Sequence, residues 1–160
     1  MAALFKKNKV TDIVTIENKF EHKDVLSSFI KAIVKIGDYE DYKVVSIKAA
    51  ELFFEDNKNI FNSLSAISAD NLNTLVDLLN CFFSNYKLGN IEMQIDEIKG
   101  EVNITHYYSP FINAVKEYKC CVFLMEFYKN FFEFVLNEKV NIEEIECGIN
   151  NEKCIFKITG

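Results

Sequence analysis

Residues 121–160 read CVFLMEFYKNFFEFVLNEKVNIEEIECGINNEKCIFKITG, and two hydrophobic periods meet inside this one stretch. Apolar side chains recur from Val122 to Val135 at a density that reads as one long helix, ended by Asn137–Lys139. The pattern then becomes a strand over Val140–Ile149 and a second over Lys153–Thr159, folded as a hairpin about Asn150-Asn151. Three of the five cysteines lie here: Cys121 at the head of the helix, Cys147 on the first strand, Cys154 on the second. A turn at Asn150-Asn151 sets Cys147 opposite Cys154. A helix laid across that face brings Cys121 within reach. Thiolates gathered from remote parts of a chain are a common way to build a closed zinc site, because soft sulfur suits that ion. The alternative is that all three are small core hydrophobes, as free cysteines often are. Cys120 points about 100° away from Cys121 around a helix, so one of the two, not both, faces such a site.

Working outward, Ser109-Pro110 breaks the chain at its single proline, and a short helix through Phe111, Ala114 and Val115 follows. Before it, Ile91, Met93 and Ile95 alternate with Glu92, Gln94 and Asp96. After Lys99-Gly100, Val102, Ile104, His106 and Tyr108 alternate with Glu101, Asn103, Thr105 and Tyr107. That is a hairpin with one face on a core, and it places His106 and Tyr108 inward. The region before residue 89 reads as helices. One is capped by Asp24 and stopped by Gly37, and one runs from Asp41 to Phe54. A brief piece lies around Ile60, Phe61 and Leu64. A long helix capped by Ser68 carries Leu75, Leu79, Phe82 and Phe83 and ends at Leu88-Gly89-Asn90. Cys81, within it, reads as core packing. Residues 1–22 read as an arm or edge strand, 23–88 as the helical part, and 89–160 as the hairpin–helix–hairpin part with the cysteines. The expectation is one α+β domain, an antiparallel sheet of two hairpins covered by helices.

Composition excludes several function classes. The net charge is −6, and all eighteen basic residues are lysine. Without a basic footprint or a guanidinium fork, direct nucleic-acid binding is not expected. No uncharged run reaches the ~18 residues that span a bilayer. Lys6 and Lys7 follow a very short apolar start, the wrong order for a secretory signal, so the chain reads as cytoplasmic. An odd number of cysteines there argues for reduced thiols or a metal rather than disulfides. His22 and His106 are the two histidines, and no Ser-His-Asp or Cys-His set is legible. The chain is therefore not expected to be an enzyme.

Three features carry a resemblance to a known family: the hairpin leading to Tyr108-Ser109-Pro110-Phe111, the cysteine heading the long helix, and the ending Glu-x-x-Cys-Gly-x(5)-Cys-x-Phe-x-Ile. That ending is Glu144, Cys147, Gly148, Cys154, Phe156 and Ile158. The chain resembles the 4-vinyl-reductase domain family, related to aromatic-sensing regions of sigma-factor-dependent activators and, more distantly, to transport-protein-particle subunits. The resemblance implies a structural zinc held by Cys121, Glu144, Cys147 and Cys154 beside a hydrophobic ligand cavity. It also implies a homodimer and, with no output domain in this sequence, a separate output protein. Glu144 lies three residues from Cys147, so a regular strand would face them to opposite sides; a bulge must re-aim one of them. Phe123, Phe127 and Phe131, with Phe82, are the expected cavity wall, and His106 and Tyr108 its polar groups. Plain core is the competing reading of the same rings. The stretch His106-Tyr107-Tyr108-Ser109 is also similar to haem-nitric-oxide-binding domains. Phe111 stands where those carry an arginine, so no haem is expected. The function read from sequence is a stand-alone sensory domain for a hydrophobic or aromatic ligand. A ligand-free scaffold module is the first alternative, and an auxiliary protein of tetrapyrrole metabolism the next.

Overall fold

A computed structural model describes residues 32–33, 37–62, 64, 71–111, 121–147 and 152–160. The expected N-terminal arm, most of the Asp24–Gly37 helix, the Ser68 cap, the short helix after Phe111, Cys120 and the Asn150-Asn151 turn lie outside them. Among the described residues are three α-helices, one 3-10 turn and a four-stranded sheet. We label them α1 (Tyr39–Asn57), the 3-10 turn (Lys58–Phe61), α2 (Leu72–Asn85), β1 (Asn90–Asp96), β2 (Glu101–Tyr107), α3 (Val122–Leu136), β3 (Asn141–Glu146) and β4 (Lys153–Thr159).

Helix α1 starts two residues before the expected Asp41 because Asp38 caps it. The Asp38 carboxylate accepts from the Asp41 N–H at 3.0 Å, and the Asp41 carboxylate reaches back to the Asp38 N–H. Its inward face is Tyr42, Ser46, Ala50 and Phe54, one residue every turn. The small Ser46 and Ala50 let α1 approach α3 closely, while Val44, Val45 and Leu52 face outward. Helix α2 buries Leu75, Leu79, Phe82 and Phe83. Cys81, expected in the core, is exposed instead, because its neighbours Phe82 and Phe83 take the inward arc.

The chain leaves α2 through Lys87 in the left-handed region and Gly89 at φ +104°. A Cβ on Gly89 would lie 2.1 Å from the Tyr107 carbonyl oxygen, so only glycine fits there. Asn80 then ties α2 to β1: its side chain accepts from the Ile91 N–H at 2.6 Å and donates to the Ile91 carbonyl at 3.1 Å.

The strands run in the order β1-β2-β4-β3 with every neighbouring pair antiparallel, so the two expected hairpins join through β2 and β4. The register puts Ile91, His106 and Cys154 in one cross-strand row on the inner face, and Met93, Ile104, Phe156 and Glu144 in the next. Helices α2 and α3 lie over this face, where the ring of Phe83 is 5.0 Å from His106 and that of Tyr128 is 5.4 Å from Phe156. Helix α3 ends as expected, at Asn137 in the left-handed conformation.

The strand alternation fails at one expected position. Tyr108 has φ +56° and is 54% exposed. Its N–H closes on the Glu152 carbonyl at 2.8 Å, and the left-handed residue that ends β2 turns the ring outward and Ser109 inward. Tyr108 is therefore not an inward-facing residue of the hairpin.

Candidate functional site

Four ligand-type side chains converge where the head of α3 meets β3 and β4. One ligand atom from each of Cys121, Glu144, Cys147 and Cys154 lies within 4.8 Å of every other. Cys121 and Cys154 are fully buried with their sulfurs 2.8 Å apart; Glu144 and Cys147 are half-buried. The structure thus brings together the set that the sequence pointed to, with Cys121 in place among the described residues.

The register of β3 explains how. Ile142 pairs with Ile158 and Glu144 with Phe156, but Glu146, not Ile145, pairs with Ile155. One extra residue is inserted, so two residues on β3 oppose one on β4. Without it, Glu144 inward would leave Cys147 outward by the two-residue alternation of a strand. With it, Ile145 bulges into solvent at 55% exposure, and the chain carries on to bring Cys147 beside Cys154.

The chemistry of this set fits a metal. A buried cluster of three thiols and a carboxylate cannot carry full negative charge alone, so protons or a cation must balance it. The Cys121 thiol is accordingly held well above the usual thiol range, first by hydrogen bonding with Cys147 and Cys154, then by burial and by the charges of Cys154 and Glu144. Cys147 moves the other way, lowered by its hydrogen bond with Cys121. A regular tetrahedron of sulfurs around zinc, at about 2.3 Å per bond, has edges of about 3.8 Å. The observed distances, 2.8 Å for the Cys121–Cys154 sulfur pair and 4.8 Å at most within the set, lie either side of that edge.

Beside this cluster is a second buried polar group. His106, across the ladder from Cys154, is 0% exposed and has both ring nitrogens engaged. Nδ1 lies 2.6 Å from the Tyr128 hydroxyl and Nε2 lies 2.7 Å from the Leu88 carbonyl. A carbonyl only accepts, so Nε2 carries the proton and donates, and the Tyr128 hydroxyl donates to Nδ1. Burial drives the His106 pKa down from 6.5 to about 4, so the ring is neutral. Burial also pushes the Tyr128 hydroxyl well up, with the charges of Cys121 and Cys154 adding to it. His106 faces inward as the alternation requires, but its bonding capacity goes to the protein. Its Tyr128 partner was not legible, since His106 read as a polar group facing a ligand and Tyr128 as one more ring in the aromatic stripe of its helix. Asn80 was missed too; the one signal was an amide amid Leu78, Leu79, Phe82 and Phe83.

The aromatic residues expected to line a cavity touch one another. Phe82 stacks on Phe127 at 5.6 Å, Phe131 meets Phe61 edge-on at 5.1 Å, and Phe123 stacks on Phe111 at 4.6 Å. All are buried, and Phe53 joins Phe82, Phe123 and Phe127 into one aromatic cluster.

No known family profile matches the chain, and no curated protein matches it in sequence. Solved structures do match. The phenol-responsive sensory domain of the transcription activator PoxR, solved with phenol, has a TM-score of 0.60 at 12% identity, over 83% of this chain and 71% of that one. A vinyl-4-reductase family protein from Methanocaldococcus jannaschii has a TM-score of 0.53 at 18% identity, over 99% and 98%. A trafficking protein particle complex subunit 3 from Naegleria fowleri, covalently bound to palmitic acid, has a TM-score of 0.43 at 11% identity, over 93% and 88%. The first two likenesses establish the fold: an α+β architecture shared with the vinyl-4-reductase family protein and the phenol-responsive domain.

Proposed function

We propose that this chain is a single-domain, non-enzymatic sensor of a hydrophobic or aromatic small molecule, braced by a structural zinc on Cys121, Glu144, Cys147 and Cys154. The observation that carries the reading is the four-residue cluster, set in a fold shared with a phenol-responsive domain. Four protein ligands would close the zinc shell, which suits a brace rather than a catalyst. Zinc there would pin β3 and β4 to the head of α3, which buries more aromatic rings than any other described element. A ligand that favours one packing of α3 over another would shift the balance between them. Phe82, Phe123, Phe127 and Phe131 are the residues it would meet. His106 would act through Tyr128 and Leu88 rather than by touching the ligand. The signal would pass across a homodimer or to a separate output protein in the cytoplasm, without nucleic-acid contact.

A second reading has its own support. The rings proposed as a wall lie in mutual contact, as they would in a scaffold module with a filled core. Metal analysis and native mass spectrometry of protein purified without chelator, followed by thermal melts with phenols and hydrocarbons, separate the two. A sensor holds one zinc per chain, and ligand at a hundred times its Kd adds about 2.7 kcal/mol. For a chain of this size that raises Tm by roughly 5–10 °C. Zinc without any ligand shift favours the scaffold; neither zinc nor shift refutes the sensor.

A further inference from the structure

Glu144 belongs to two structures at once. Helix α3 begins at Cys121 with no side-chain cap of its own and no acidic residue in its first turn. Its first N–H groups are orphan donors at the positive end of a fifteen-residue helix. Both oxygens of Glu144 face the Cys121 N–H, each at 3.4 Å. That is long for one hydrogen bond and even for the pair, so a small rotation would commit one oxygen to the N–H and free the other. The same carboxylate is a member of the cluster, within 4.8 Å of all three sulfurs, because the bulge at Ile145 allows Glu144 and Cys147 to face one side.

We propose that Glu144 is a shared positioning residue: one carboxylate oxygen takes the metal while the other caps the first turn of α3. A single side chain on β3 would then hold the ion and the aromatic helix together, and loss of the ion would leave the cap in place. The metal-free protein would keep α3 started and the cluster gathered for reloading. This rests on the metal reading above.

The test compares wild type, Glu144→Gln and Glu144→Ala. Zinc affinity is measured by competition with a chromophoric chelator, the Co2+ visible spectrum reports the ligand set, and amide exchange is followed in the chelated proteins. Glutamine keeps an acceptor for the Cys121 N–H but loses the anionic ligand. Its exchange at Cys121 should match wild type, while zinc affinity falls at least tenfold and the Co2+ d–d bands shift. Alanine should lose both, with exchange at Cys121 about fivefold faster, as expected for a lost cap. Unchanged protection in the alanine variant, or wild-type zinc affinity in the glutamine variant, overturns the shared role. If wild type takes up no zinc, the metal reading itself has failed, and that is distinguishable because the exchange arm still reads the cap.

Discussion

Lowering the pH should destabilise this protein through one buried imidazole, His106. The ring is 0% exposed and enclosed by Phe83 and Tyr128, and burial holds its pKa near 4 against an ordinary 6.5. The folded pKa lies below the unfolded one. Between pH 6.5 and about 4 the unfolded chain therefore binds a proton that the native chain refuses. Stability contributed by the neutral ring is whole above pH 6.5, falls as the pH drops through that window, and levels off below it. The gap from 6.5 to about 4, at about 1.4 kcal/mol per pH unit, amounts to about 3 kcal/mol. No screening discount applies, since water does not reach the ring. Urea melts of chelated wild type and His106→Gln, taken from pH 7.5 to 4, measure it; chelation keeps metal release out of the comparison. The wild-type midpoint should fall by about 1–3 M more than that of the variant. Equal pH slopes for the two proteins would refute a buried neutral histidine.

Three further outcomes follow from packing and register. Phe127→Ala empties the ring that meets Phe53, Phe54, Phe82 and Phe83. It should cost about 3–5 kcal/mol in denaturant melts, and a loss under 1 kcal/mol would contradict a filled aromatic core. Asn80→Ala strips both side-chain bonds to Ile91 and should cost about 1–3 kcal/mol, with faster amide exchange at Ile91 itself. Deleting Ile145 removes the extra residue of β3 and should turn Cys147 off the inner face. Metal analysis should then find less than one equivalent of zinc retained through gel filtration, whereas full retention would show that the bulge does not build the site.

Much of this architecture could be read from local pattern, because pattern and fold have the same physical origin. The alternation in Ile91–Tyr107 and the stop at Asn137 follow from which faces a strand or helix can bury. The three cysteines were legible from their spacing, whereas Glu144 joined them only through the family resemblance, against the alternation of a regular strand. The same logic misplaced Tyr108 and Cys81. A period of two names a face only while the strand stays regular, and a left-handed residue at its end reverses that face. A helical stripe names a broad arc, and which residue at its edge turns outward depends on the neighbour that fills the arc first. In α1 the wet face took Val44, Val45 and Leu52, because contact with α3 favoured the smaller Ser46 and Ala50.

The sequence by itself determined the order of helices and strands, the two antiparallel hairpins and the residue types that can hold a metal. Tertiary structure decided the rest: the bulge at Ile145 that turns Glu144 and Cys147 to one side, and the pairing of His106 with Tyr128 and Leu88. It also decided that the phenylalanines touch one another. These depend on contacts between segments far apart along the chain, whose energies no local period encodes.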